Sequence, residues 1–323
     1  MRQIILEQPG RFAEREANLP APGPGEAMVR IRSVGVCGTD YHAFAGRQPF
    51  FTYPRILGHE LGGEIVSAPP NERGIKPGAR CAIEPYLSCG ECSACRMGKR
   101  NCCANLRVLG VHTDGGLQEF LAVPMGAVHI SGRLSTDQLA LVEPLGIGAH
   151  AVSRSGLREG ESVLVIGAGP IGLAVTQFAL AAGGRVRVLE INAARREFAA
   201  RFKVDALESP DDSLADLVFD ATGNAASMEQ SVARVAPGGR LVFVGLVQTS
   251  VAIDDPLFHR REITLLASRN SVNEFPRIIR MIEESRIDTS PWITHRLHLE
   301  EVPSRFLSLP AEANCIKAVI QID

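Results

Sequence analysis

Five of the eight cysteines in this 323-residue chain stand in one stretch, SCGECSACRMGKRNCCAN. Cys89, Cys92, Cys95 and Cys103 follow C-x2-C-x2-C-x7-C. Four thiolates so close in sequence suit a tetrahedral, closed structural Zn²⁺ site. Cys102 falls outside that register. An iron–sulfur cluster also takes four thiolates, but nothing else in the chain suggests electron transfer. Five free thiols in one loop would invite oxidation.

A second set is dispersed. GVCGTDYH carries Cys37, Thr39, Asp40 and His42; GHE carries His59 and Glu60; LVEPLG carries Glu143. Each piece alone is commonplace, since a His beside a Gly is usually structural. Together they offer one sulfur, one nitrogen and two carboxylate oxygens, the mixed donor set of a catalytic zinc with an exchangeable position. A third group lies in VLVIGAGPIG, where Gly167, Gly169 and Gly172 form G-x-G-x-x-G around Pro170 and Ile171. After a strand and before a helix, such glycines give a tight turn, close approach of a pyrophosphate and close helix–strand packing. Glu190 ends RVRVLE, where a carboxylate accepts hydrogen bonds from a ribose 2′-OH. These features predict a dinucleotide site.

Such groups act only if the fold positions them. The first 130 or so residues read as short strands between Gly/Pro turns: AMVRIRSVGV, GGEIV, ARCAIEP and GGLQEFLAVP. From Ser135 the texture changes, STDQ having the form of a capping box before a helix toward Val142. Strands SVLVIG, RVRVLE, LVFDATG and RLVFVGL then alternate with helices, one to Ala182 and one over 193–202. That rhythm implies βαβ units and a parallel sheet covered on both faces. The last fifty or so residues return to mixed structure, and the strand-like CIKAVIQI could rejoin the first domain.

Composition narrows the class. At 45 % hydrophobic and 22 % charged residues the chain reads as globular, with room for about two domains. A net charge of −2 gives no reason to expect nucleic acid or an anionic membrane as partner. MRQIILEQPG has no long apolar core, so no secretory signal is expected. The uncharged stretch 163–184 is divided by its glycines and Pro170, which favours strand–turn–helix over a bilayer span. The expected location is the cytoplasm, where cysteines are more often metal ligands or free thiols than disulfides.

GVCGTDYH, GHE, the four-cysteine loop, VEP and the glycine fingerprint, in that order, resemble the zinc-containing medium-chain dehydrogenases/reductases. The polyol branch, with sorbitol and threonine dehydrogenases, is the nearer likeness. Within it QPFF-YPR-LGHE, NCC, GVH-DGG, DP-FH and SRN are most similar to L-galactonate/L-gulonate 5-dehydrogenases. The resemblance implies an α/β protein: a GroES-like, β-rich catalytic domain over 1–145 and 269–323, with a Rossmann doubly wound domain over 146–268.

By position, the resemblance makes Cys37 and His59 ligands of a catalytic zinc, with Glu60 and Glu143 as carboxylates that exchange around it. It makes Asp40 the residue that orients His59, and Thr39 and His42 a proton relay through the cofactor ribose. Arg195 matches a basic residue beside the adenosine ribose. Thr222, Val244, Gly245, Leu246, Ser268, Arg269 and Asn270 match contacts to the cofactor. Arg269, His112, Arg47 and Arg55 are candidates for the substrate. Two zincs per chain, one catalytic and one structural, and NAD are the implied cofactors.

The expected reaction is oxidation of a secondary alcohol of a polyol or a sugar acid, such as L-galactonate or L-gulonate at C5, by a homodimer or homotetramer. Rival readings are a non-catalytic nucleotide sensor on the same fold, a plain polyol or threonine dehydrogenase, and a zinc-ribbon nucleic-acid binder. The last lacks a basic excess beyond Arg96, Lys99 and Arg100. The chain departs from the family pattern at Pro69 and Ala79. Its segment 203–216 is about a dozen residues short, as if a helix were trimmed.

Overall fold

The strand Glu26–Gly35 buries Ala27, Val29 and Ile31 fully and turns Arg30 and Arg32 outward, the period of two that a pleat imposes. In the computed structural model, which describes residues 1–49, 51–312 and 314–323, it is central to a seven-stranded sheet. Phe50 of QPFF lies outside the described residues. The order runs Ile293–His298, Lys317–Gln321, Glu26–Gly35, Glu60–Ser67, Arg80–Ile83, Val128–Ser131; Phe120–Pro124 pairs the first half of Glu26–Gly35. The tail strand Lys317–Gln321 thus returns to pair antiparallel with Glu26–Gly35. Ile4, Leu6, Ile31, Leu61 and Ile83 are among the residues of the core beside it.

Several elements differ from the sequence reading. The strand expected across GGLQEFLAVP starts only at Phe120, because the amides of Gly115, Gly116 and Leu117 bond instead to Ile56, Gly58 and Leu57 carbonyls. The hairpin Arg2–Gln8/Arg11–Glu16, the strand Ile293–His298 and the amphipathic helix Phe275–Glu283 were not anticipated. The capping box of Ser135 and Gln138 is present in both directions. Its helix is short, Thr136–Ala140, and is followed by the longer Val142–Ser155.

The chain divides into two units: Met1–Glu143 with Phe275–Asp323, and Pro144–Glu274. The second boundary falls after Glu274 rather than after Ser268, for two reasons. The Ser268 N–H donates to Phe243 O at 2.9 Å, prolonging the strand ladder, and Ser153 Oγ donates to Glu274 Oε1 at 2.9 Å. Phe275, by contrast, stacks on His129 with centroids 5.1 Å apart.

The second unit is a six-stranded, wholly parallel sheet. Its order is Asp205–Leu207, Arg185–Leu189, Ser162–Ile166, Ala215–Asp220, Val235–Phe243, Thr264–Ala267. In chain order within the unit that is the 3-2-1-4-5-6 arrangement of dinucleotide-binding folds. The helix expected over 193–202 ends at Ala200. No helix lies between Asp205–Leu207 and Ala215–Asp220, so the chain passes directly between these strands.

Gly172 shows why the first strand–helix turn tolerates no side chain. A Cβ there would lie 1.8 Å from Gly167 O. Gly172→Ala is expected to push the helix Pro170–Ala181 off the strand, costing about 1–3 kcal/mol as overpacking does. A fall in melting temperature measured by calorimetry checks this.

Candidate functional site

The four-cysteine loop holds only the short helix Ser93–Arg96 and a 3-10 turn at Arg100–Cys102, and its sulfurs are its centre. The Sγ atoms of Cys89, Cys92, Cys95 and Cys103 all lie within 4.8 Å of one another. Individual separations are 3.4 Å (Cys89–Cys103), 3.5 Å (Cys92–Cys95) and 4.0 Å (Cys89–Cys95). Those are too long for disulfides, and four Zn–S bonds of about 2.3 Å space tetrahedral sulfurs roughly 3.7 Å apart. The donor set therefore fits a closed zinc site. Backbone N–H groups of Cys89 and Asn105 each donate to Cys103 Sγ at 3.3 Å. Hydrogen bonds from Ala104 and Cys95 backbone amides lower the Cys92 thiol to about 6, which favours the thiolate a metal needs. Cys102 is exposed and outside the group.

Two strand ends of the large sheet assemble the second group. Glu60 opens Glu60–Ser67 and stands opposite Gly35, the last residue of Glu26–Gly35. A Cβ on Gly35 would lie 1.9 Å from Glu60 Oε2, so the glycine leaves room for the carboxylate. Cys37 then caps the helix Gly38–Phe44 in a box with Asp40, whose Oδ2 accepts from the Cys37 N–H at 2.9 Å. Ligand atoms of Cys37, His59 and Glu60 fall within 4.8 Å of one another. His59 Nδ1 is 3.6 Å from Asp40 Oδ1, and both atoms are buried without a hydrogen bond.

Burial alone would disfavour a charged His59, but Asp40 and Cys37 outweigh it and raise its pKa well above the usual value. Burial likewise raises Asp40, against the pull of His59. Sulfur, nitrogen and carboxylate oxygen thus converge among under-satisfied buried atoms, which fits a mixed-ligand zinc.

Glu143, 4 % exposed, is not within the tight trio. It is near enough that His59 and Glu60 act on its charge, and burial pushes its pKa up to about 7. Two partners were missed in the sequence. Tyr86 Oη donates to Glu143 Oε1. Lys317 Nζ, fully buried, donates to Glu60 Oε1 at 2.5 Å and to Val36 O at 2.8 Å. The signal available was a lysine inside the apolar strand CIKAVIQI.

Thr39 and His42 are three residues apart on Gly38–Phe44, half-buried and exposed respectively. Arg55 is engaged by Asp114 Oδ1 at 3.2 Å and Thr52 Oγ1 at 2.9 Å. His112 Nδ1 accepts from the Val108 N–H at 3.1 Å. Arg47 is exposed, its N–H donating to His42 O at 2.8 Å.

In the second unit Gly169 caps the helix Pro170–Ala181, and a Cβ on it would meet nothing within 4 Å. Open space at a helix N-terminus is where a pyrophosphate is held. Ile171 is half-buried in the first turn. Glu190, 6 % exposed, accepts from the Ala168 N–H at 2.7 Å and the Asn192 N–H at 2.8 Å. A carboxylate has about four acceptor sites, so capacity for a ribose hydroxyl remains. Arg196, rather than Arg195, reaches the backbone here, donating to Glu190 O at 3.0 Å and Ile191 O at 2.7 Å. The Arg195 N–H donates to the capping Asn192 Oδ1 at 3.0 Å.

Buried Asp220 organises the far side of the site. Its Oδ1 accepts from the Thr222 N–H at 3.0 Å and Oγ1 at 2.6 Å, and its carbonyl from Val244 and Gly245 amides at 2.9 and 3.1 Å. Leu246 is 78 % exposed. Asn270 adopts a left-handed φ of 48° between exposed Arg269 and buried Ser271. Together these features fit a dinucleotide.

Comparison with known proteins agrees. Residues 23–131 match the alcohol dehydrogenase GroES-like domain, and 170–284 match the zinc-binding dehydrogenase domain. L-galactonate-5-dehydrogenase of Escherichia coli K12 is 42 % identical over 310 residues, 92 % of this chain and 91 % of that protein. The crystal structure of alcohol dehydrogenase rspB from E. coli CFT073, complexed with NADH, superposes with TM-score 0.94 at 28 % identity, covering 99 % of each chain. A zinc-binding dehydrogenase from Sinorhizobium meliloti 1021 bound to NADP gives 0.93 at 32 %, covering 99 % of this chain and 98 % of that one.

Two outcomes are expected. Cys103→Ser lowers metal content by about one ion per chain and destabilises the fold, since a closed zinc site contributes folding energy. Cys102→Ser does neither; elemental analysis of both proteins decides the register. Lys317→Met leaves Glu60 buried without its counter-charge and costs about 3–5 kcal/mol, read by urea unfolding of metal-free protein.

Proposed function

The chain belongs to the zinc-binding alcohol dehydrogenase family, and from that premise we propose that it oxidises a secondary alcohol of a six-carbon sugar acid with NAD. The observation that carries this reading is the convergence of Cys37, His59 and Glu60 within 4.8 Å. A non-catalytic nucleotide sensor has no use for such a group. In this reading Cys37, His59 and a carboxylate, Glu60 or Glu143, hold one zinc, and Cys89, Cys92, Cys95 and Cys103 hold another. When bound, the first would supply Lewis acidity that favours loss of the alcohol proton and the dinucleotide a hydride acceptor.

The chain's own residues do the rest. Asp40 orients the imidazole of His59. Thr39, half-buried, and His42, exposed on the same short helix, form a route for the released proton toward solvent. Glu190, fixed by two backbone amides, holds the ribose and opposes the like charge of a 2′-phosphate.

The 42 % identity to L-galactonate-5-dehydrogenase supports an aldonate such as L-galactonate or L-gulonate, oxidised at C5. A carboxylate substrate calls for a planar cation that binds both oxygens. The resemblance matches Arg269 to a pocket-lining arginine of the polyol branch, which makes it the first candidate, with Arg47 and His112 as further ones; Arg55 is engaged by Asp114 and Thr52.

One screen tests the whole reading: NAD and NADP reduction over aldonates, polyols of equal length, threonine and simple alcohols. The expected result is turnover of an aldonate, with NAD favoured at least roughly tenfold, the scale of about 1.4 kcal/mol. Arg269→Ala should lower aldonate kcat/KM more than that of an uncharged polyol. Good turnover of polyols with none of any aldonate would make this a plain polyol dehydrogenase; equal efficiency with NADP would remove the role given to Glu190.

A further inference from the structure

We propose that Tyr86 is a positioning residue which ties the order of the four-cysteine lobe to the carboxylate of Glu143 beside His59. This deepens the metal reading above and rests on it. Tyr86 belongs to both places at once. Its two-residue strand, Tyr86–Leu87, pairs antiparallel with Arg107–Val108, with Tyr86 opposite Val108. Its ring packs against the lobe's small core of Cys95, Cys103 and Leu106. Its hydroxyl donates to Glu143 Oε1. Among the described residues this is the one hydrogen bond received by the Glu143 side chain.

The consequence follows from size. Three buried residues do not order a loop by themselves, so the lobe's structure depends on its thiolates being tied together. Whatever loosens the lobe loosens the Tyr86 ring, and the ring aims the hydroxyl. A buried carboxylate without that donor keeps its desolvation penalty and loses the hydrogen bond that fixes its orientation. The lobe is therefore more than a staple. It sets the geometry of the second carboxylate at a group whose ligands come from other parts of the chain. A purely packing role for Tyr86 needs only the ring, whereas positioning needs the hydroxyl, and Phe separates the two.

The test uses the full chain with zinc retained in the lobe and Co²⁺ titrated into the Cys37–His59 group, followed by its d–d absorption. Tyr86→Phe should retain the lobe's zinc yet lower Co²⁺ affinity roughly 10–100-fold, the range for residues that orient metal ligands. It should also change the d–d spectrum, and lower kcat while leaving KM for NAD in place. Glu143→Gln should give a similar loss, and the double variant little more than either alone, because both changes remove one interaction. Leu106→Ala, which loosens the lobe's core and keeps all four thiolates, should lower Co²⁺ affinity by a smaller factor.

Wild-type affinity and spectrum in Tyr86→Phe, or fully additive losses in the double variant, overturns the role of the hydroxyl. Unchanged affinity in Leu106→Ala overturns the link to the lobe. A wild-type protein that takes no Co²⁺ at the Cys37–His59 group instead defeats the metal reading itself.

Discussion

Glu60 and Lys317 stand 257 positions apart in sequence, yet their side chains meet at 2.5 Å with almost no exposure. Taking both charges out of water costs several kcal/mol per ion, so the pair survives only where its geometry is enforced. Enforcement comes from the sheet. Glu26–Gly35 pairs with Glu60–Ser67 on one side and Lys317–Gln321 on the other, and Gly35 faces both Glu60 and Val319. Gly35 has no side chain to fill the space where the carboxylate lies, and Val36 O takes a further bond from the ammonium. Cys37 lies two positions beyond Gly35 and His59 one before Glu60, so the register that makes this ion pair also delivers the sulfur and the imidazole.

Around that pair the electrostatics are deliberately unfinished. Asp40, Glu60 and Glu143 bring three acidic groups into one buried region, where desolvation raises Asp40 and Glu143 and is only partly relieved by His59 and Lys317. Asp40 Oδ1 and His59 Nδ1 face each other with neither bonded. Such an arrangement is costly for a merely structural core, which satisfies its buried polar groups. A divalent cation among these donors inverts the local balance, favouring the thiolate, the neutral imidazole and the carboxylates together. The four-cysteine lobe differs, because its four sulfur donors all come from one loop.

The parallel-sheet unit follows a different logic. Its glycines act through space rather than charge: Gly172 lets the helix close on the loop, and Gly169 leaves its N-terminus open. Glu190 does not project freely from a strand end; it is bonded to Ala168 of the fingerprint loop, so carboxylate and glycine loop form one piece. The segment after Asp205–Leu207 runs on to Ala215–Asp220 without a helix, and the strand it leaves is at the sheet's edge.

The sequence by itself determined what is local. The alternating strands, the Ser135 capping box, the fingerprint turn and the Cys89–Cys92–Cys95–Cys103 register were legible because each depends on spacing within a few residues, or on a repeat that one element imposes. The dispersed residues Cys37, His59, Glu60 and Glu143 were legible as a list of donors, chiefly through family likeness. The convergence of Cys37, His59 and Glu60 was not, because it is a property of strand pairing across the chain. Tertiary structure alone supplied Lys317, Tyr86 and Asp220, assigned Arg55 to Asp114, and turned Arg196 rather than Arg195 toward Glu190. Each of those depends on where a side chain is buried and what it meets there. Residue type and spacing set which bonds a group is able to make, but burial decides which of them it must make, and burial exists only in the folded chain.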